Sequence, residues 1–167
     1  IFEFRAAFAS PWHLPPEIYE SMYSLRYKNR NQTFCIVRNP IHRYRSDVQW
    51  FESMKKPKYV HWNTSLRVLS TRWSMIVAEK KVKLLSEELV HRTPQFMFVW
   101  DSRGRVQCDC VIAFEKMKQL TKIRANVLKS RHYHSLPDDF FYFYAADFQL
   151  WNLANSVNSI CYHPTDL

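Results

Sequence analysis

The sequence predicts an α/β domain in which a parallel central sheet is flanked by helices. Three observations carry this expectation. A short unbroken apolar run, Thr33 to Val37, has the composition of a buried parallel strand and leads directly into a helix start at Asn39-Pro40. Apolar segments elsewhere switch between strand-like runs and spacings of three and four, as in a chain that alternates strands with helices. At 167 residues and 47% hydrophobic content the chain can bury a sizeable core, so residues 1–167 are read as a single domain.

The first predicted element is a helix opened by Pro15-Pro16, with Ile18, Met22 and Leu25 on one face, ending in the polar run Lys28 to Asn31. The strand up to Val37 follows. Asn39 then caps, and Pro40 starts, a helix reaching about Met54, striped by Ile41, Tyr44, Val48 and Phe51 and broken by a Lys-Lys-Pro-Lys loop. From Leu66 to about His91, apolar residues including Leu69, Trp73, Ile76 and Leu89 predict one long or broken helix.

Phe96 to Trp100 and Val106 to Phe114 read as two strands joined by the turn Asp101 to Gly104, with Gly where φ is positive. Glu115 to Lys129 reads as helix. After a polar stretch holding His132 and His134, Pro137-Asp-Asp139 starts a terminal helix through about Ala154, whose aromatic residues serve the core.

Twenty-four Lys and Arg against fifteen Asp and Glu give a net charge of +9, which favours anionic partners: nucleotides, acidic or sulfated polysaccharides, nucleic acid or anionic lipid. No window approaches the roughly 20 unbroken apolar residues of a membrane-spanning helix. The chain opens at Ile1 with no charged leader, and is read as processed or truncated. Cys35, Cys108, Cys110 and Cys161 form no CxxC pair and no zinc spacing, and are read as buried small hydrophobes; no metal is expected. Two N-x-S/T sequons, at Asn31 and Asn63, lean towards a secretory lumen. Gly104 is the one glycine, so these residues hold no glycine-rich phosphate cradle and no dinucleotide fingerprint.

The densest chemical signal is Phe34 to Ser46, where a strand ends in Arg38 and the next helix carries Arg43 and Ser46 three residues apart, on one face. Ligands of open α/β sheets bind beyond the carboxyl ends of strands, where Arg38 falls. An Arg fork and a hydroxyl beside free N–H groups at a helix start suit a terminal phosphate. A structural ion pair for Arg38 and a solvated basic helix face for the rest is the competing reading.

Arg38, Pro40, Arg43 and Ser46 follow an R-x-P-x-x-R-x-x-S spacing that resembles the 3′-phosphate-binding segment of Golgi carbohydrate sulfotransferases. Pro94-Gln95 with Phe96 to Asp101, then Asp109 to Met117, is similar to that family's later strands and their FE-x-L end. Tyr144 to Phe148 looks like its closing Y-x-x-D-F helix. The resemblance runs from about position 14 to about 153 and implies a P-loop-like sulfotransferase fold, a Golgi location, and 3′-phosphoadenosine 5′-phosphosulfate as co-substrate. It also implies that Arg38 and Ser46 hold the 3′-phosphate, with Arg43 in support.

The family opens with a strand, a K-x-G-T-T/S loop and a helix that hold the 5′-phosphosulfate, and no residue here matches that unit. Residues 1–167 are therefore not expected to be a competent enzyme, because sulfuryl transfer, like phosphoryl transfer, rests on positioning and charge neutralisation. Candidates for a general base are His13, His61, His91 and Glu17, with none singled out. Lys55, Lys56 and Lys58 with Lys80, Lys81 and Lys83 can line a polysaccharide groove or be solvated surface; Trp12, Trp50, Trp62 and Trp73 can stack on sugars but more often serve cores.

Two functions from different classes follow. The first is a sulfotransferase acting on a hydroxyl of a carbohydrate. The second is a catalytically inactive sulfotransferase-like subunit of a larger intracellular or organellar assembly, with other protein chains as partners. Nucleic-acid binding through the basic surface ranks last, since no RNA or DNA motif is present.

Overall fold

The computed structural model describes residues 14–23, 33–53, 66–79, 87–120 and 135–165. These form a mixed α/β arrangement with a three-stranded sheet flanked by helices. In chain order the elements are α1 (Pro16–Tyr23), β1 (Phe34–Val37), α2 (Pro40–Ser53), α3 (Leu66–Glu79), α4 (Glu87–His91) and α5 (Phe96–Val99). Then come β2 (Cys110–Ala113), a 3-10 turn (Phe114–Lys116), α6 (Met117–Leu120), α7 (Phe140–Phe143), α8 (Ala145–Ser156) and β3 (Cys161–Tyr162).

β1 runs parallel to β2, pairing Phe34 with Cys110 and Val37 with Ala113, and β3 adds antiparallel to the far side of β2. The central sheet is thus mixed rather than wholly parallel. Side chains alternate along a strand, so Cys35 and Val37 turn to one face, where Val37, Val111, Ala113, Leu150 and Ala154 form a core under α8. Phe34 and Ile36 point the other way and stay 65% and 43% exposed. The strand expected to be buried is covered on one face only among the described residues.

A second core is helical. Ile18 of α1, Tyr44 and Val48 of α2, Leu66, Leu69, Trp73 and Ile76 of α3 pack with Leu89 and Val90 of α4 and Phe140 of α7. The predicted stripe of α2 is thereby seen in Tyr44 and Val48, with Ile41 packed against the same cluster. At the far end of α8, the Lys116 ammonium donates to the carbonyls of Ala154, Val157 and Ser159 at 2.7, 2.6 and 3.1 Å. A cation there satisfies carbonyls that a helix end leaves without partners, and it ties the turn after β2 to α8.

Four further expectations need correction. Phe96 to Trp100 is a helical turn, not a strand: the Asp147 carboxylate accepts the Gln95 and Phe96 N–H groups at 2.8 and 2.9 Å and starts the turn, overriding the β-propensity of the run. Val106 forms only an isolated bridge with Trp100, and the strand proper begins at Cys110. The terminal helix is interrupted at Tyr144, dividing α7 from α8. The cysteines are paired, Cys35 with Cys108 and Cys110 with Cys161, at Cα separations of 5.8 and 5.4 Å, within disulfide range.

The Asp101 to Gly104 turn is as expected, with Gly104 at φ 75°. Asp101 accepts the N–H groups of Arg103 and Arg105 on one oxygen and the Arg105 guanidinium on the other. α3 and α4 fall within the predicted Leu66–His91 helix, whose residues 80–86 lie outside the described ones. So do 121–129 of the predicted helix after β2, and Lys28 to Asn31.

Candidate functional site

Because β1 and β2 are parallel, their carboxyl ends share one edge of the sheet, and Arg38 leaves the sheet there. Its guanidinium lies over the Phe114 ring, 5.1 Å from the centroid, at the end of β2. Its backbone is held from both sides by one amide: the Arg38 N–H donates to Gln95 Oε1 and Gln95 Nε2 donates to the Arg38 carbonyl, each at 2.8 Å. Gln95 is buried, so this reciprocal pair fixes the strand end to the 91–96 segment.

The start of α2 is less open to an anion than expected. Pro40 carries no N–H, and Asn39 Oδ1 accepts those of Ile41 and His42 at 3.0 and 3.2 Å. The donors expected to be free belong to the cap. An anion beside Arg38 has to be held by side chains.

Arg43 turns inward: its two terminal nitrogens donate to the carbonyls of Thr93 and His91 at 2.6 and 2.8 Å. Ser46, half-buried, lies on the next turn of α2. Arg38 and Arg43 therefore diverge, one to the sheet edge and one to the segment after α4. Tyr144 of the closing motif donates to the Arg92 carbonyl at 2.9 Å, and Asp147 holds the N–H groups of Gln95 and Phe96. Backbone groups buried this deeply need partners, and here Arg43, Gln95, Tyr144 and Asp147 supply them. These four are positioning residues that lock the segment against which Arg38 rests.

Asp47 is the group that the sequence reading missed. It follows Ser46 and lies one turn beyond Arg43, an i, i+4 spacing that was there to be read. Burial pushes its carboxyl up to about 6, against the opposing pull of Arg43, Arg38 and Arg92. Burial likewise pushes the Asp147 carboxyl up, opposed by Arg43 and by its two backbone donors. Burial also raises the Tyr144 phenol, which keeps it a proton donor to Arg92. Arg92 is fully buried, with its guanidinium over the Tyr44 ring at 5.5 Å. Three arginines with separate contacts thus lend their field to one carboxyl whose acidity burial has lowered.

No protein-family model, curated protein or solved structure matches this chain. The site is therefore read on its own geometry.

Of the candidate bases, His91 closes α4, where its carbonyl accepts from Arg43 and its ring packs on Trp50 at 5.2 Å. Glu17 accepts from the backbone and hydroxyl of Ser102. His13, His61, the six lysines of the two clusters, Trp12, Trp62 and the sequon asparagines lie outside the described residues. Among the described residues no group of three His, Cys, Asp or Glu is placed to hold a metal, and no helix is long and apolar enough to cross a membrane.

Proposed function

We propose that this chain carries the 3′-phosphate half of a sulfotransferase site in a P-loop-like sulfotransferase fold. The sulfuryl group would pass from 3′-phosphoadenosine 5′-phosphosulfate to a carbohydrate hydroxyl. The observation that carries the reading is the position of Arg38: the R-x-P-x-x-R-x-x-S spacing begins at the carboxyl edge of the parallel pair, where an α/β sheet receives ligands. The donor set suits a phosphate in part. Arg38 offers a guanidinium held at its backbone, Ser46 a hydroxyl one turn beyond Arg43, and Arg43 is committed to support.

The acceptor oxygen would attack sulfur as the bond from sulfur to the 5′-phosphate oxygen breaks, releasing 3′-phosphoadenosine 5′-phosphate and one proton. In that reaction Arg38 and Ser46 bind and orient the nucleotide, and the Asp47 carboxylate is the opposing charge that Arg43, Arg38 and Arg92 offset. The described residues supply no counterpart for the phosphosulfate loop, and the proton acceptor stays unassigned. Paired cysteines and two sequons favour a secretory lumen, in keeping with a Golgi location.

The test is transfer of labelled sulfate from the phosphosulfate donor to glycan acceptors by the full-length protein containing these residues. Activity that falls at least about tenfold in Arg38→Ala supports the reading, by the usual weight of a charge-assisted contact. An inactive full-length protein that still binds partner chains would favour the second reading, a non-catalytic subunit.

A further inference from the structure

The two disulfides join the chain at neighbouring points, Cys108 and the first residue of β2, Cys110, and they differ in access. Cys108 is 1% exposed and belongs to the core under α8 with Val37, Val111 and Leu150, and its partner Cys35 packs against that cluster. Cys110 and Cys161 are both half-buried, and the bond between them ties β2 to β3, a strand of two residues. A thiol that attacks a disulfide has to reach one of its sulfurs, so the second pair is the accessible one.

Cys161 also has an imidazole beside it. Its Sγ lies 3.8 Å from Nδ1 of the exposed His163, and the same nitrogen is 2.8 Å from the Asp109 carbonyl oxygen. A carbonyl only accepts, so Nδ1 carries a hydrogen whether the ring is neutral or charged. The Asp109 carboxylate accepts the Thr33 N–H at 2.8 Å, and the imidazole is met by the Asp109 backbone. The Nδ1–H is thereby held between that carbonyl and Cys161 Sγ. Sulfur in a disulfide is a weak acceptor, whereas a thiolate at the same place makes a charge-assisted bond. The imidazole therefore favours the broken bond over the intact one.

We infer that Cys110 is a site of thiol exchange, where a small thiol of the glutathione class forms a mixed disulfide. The incoming thiol gives its proton to water, and its sulfur bonds to Cys110 Sγ as the bond to Cys161 breaks. The electron pair of that bond leaves with Cys161 Sγ, as a thiolate that the His163 N–H receives. One disulfide replaces another, so no further oxidant or reductant enters. Direction follows from the leaving group: the sulfur whose thiolate is better stabilised departs faster, and His163 makes its contact with Cys161. The product keeps Cys35 joined to Cys108 and releases the covalent tie between β2 and β3. The inference does not depend on sulfuryl transfer or on the Arg38 site.

Reduced glutathione added to the full-length protein containing these residues tests it. Early time points are trapped with N-ethylmaleimide and mapped by mass spectrometry, with Asp-N cleavage before Asp109 separating Cys108 from Cys110. Glutathione should appear on Cys110 and maleimide on Cys161 while Cys35 stays joined to Cys108. His163→Ala, at an exposed position, should slow that step about tenfold. If His163 served only to hold β3 in place, its loss would speed the opening, so the direction of the change separates the two roles. Glutathione arriving first on Cys161, Cys35 or Cys108, both pairs opening together, no mixed disulfide in the folded protein, or a variant that opens as fast as the parent or faster would each overturn the inference.

Discussion

Replacing Asp47 with Asn should stabilise the fold at neutral pH. The carboxyl sits at about 6 in the folded chain against an ordinary 3.8, because burial outweighs the attraction of Arg43, Arg38 and Arg92. Between those two values the folded state holds a proton that the unfolded state has released, so stability falls as pH rises through the window. Above about pH 7 both states are ionised and the full penalty applies. A gap of about 2 units at about 1.4 kcal/mol each amounts to about 3 kcal/mol. Urea denaturation at pH 7.5 should therefore show Asp47→Asn more stable by up to about 3 kcal/mol, and at pH 4 the advantage should shrink below about 1 kcal/mol. A variant that is less stable than the parent at pH 7.5 would refute the reasoning, since the arginines would then depend on the charge more than burial opposes it.

Two further outcomes follow from the same packing. Tyr144→Phe removes the donor to the buried Arg92 carbonyl and should cost roughly 1–3 kcal/mol in denaturation, with faster amide exchange across 91–96; unchanged stability and exchange would show that the clamp does not depend on that bond. Peptide mapping without reductant should recover Cys35 joined to Cys108 and Cys110 joined to Cys161. Breaking either link, which closes 73 or 51 residues, should cost about 4 kcal/mol by chain-entropy reasoning; recovery of four free thiols would contradict the pairing.

Local signals were legible in the sequence and long-range ones were not. The apolar run of β1, the Asn39 cap with Pro40 at the first helical position, and the Asp101–Gly104 turn each depend on neighbouring residues, and each is found where expected. Phe96 to Val99 reads as a strand because its residues favour one, and becomes a helical turn because Asp147, more than fifty positions away, takes its first N–H groups. The cysteine pairs escape for the same reason: Cys35 meets Cys108, and Cys110 meets Cys161, only once the sheet has formed. β3 is two residues long, too short to show a period.

In the site, the order of Arg38, Arg43 and Ser46 was visible, but not where each side chain goes. Helix spacing puts Arg43 and Ser46 on one face; it cannot say that the Arg43 guanidinium ends on the carbonyls of His91 and Thr93. Nor does it show that Asn39 uses the N–H groups an anion would need. Tyr144 and Asp147 were noticed as a motif, and their work on the 91–96 backbone required the fold.

The central claim is a 3′-phosphate site at the carboxyl end of β1, and nucleotide titration tests it most directly. Calorimetry should show 3′-phosphoadenosine 5′-phosphate binding about tenfold or more tighter than adenosine 5′-phosphate, a difference that Arg38→Ala abolishes. Equal affinity for the two nucleotides, or a preference that survives Arg38→Ala, would contradict the account.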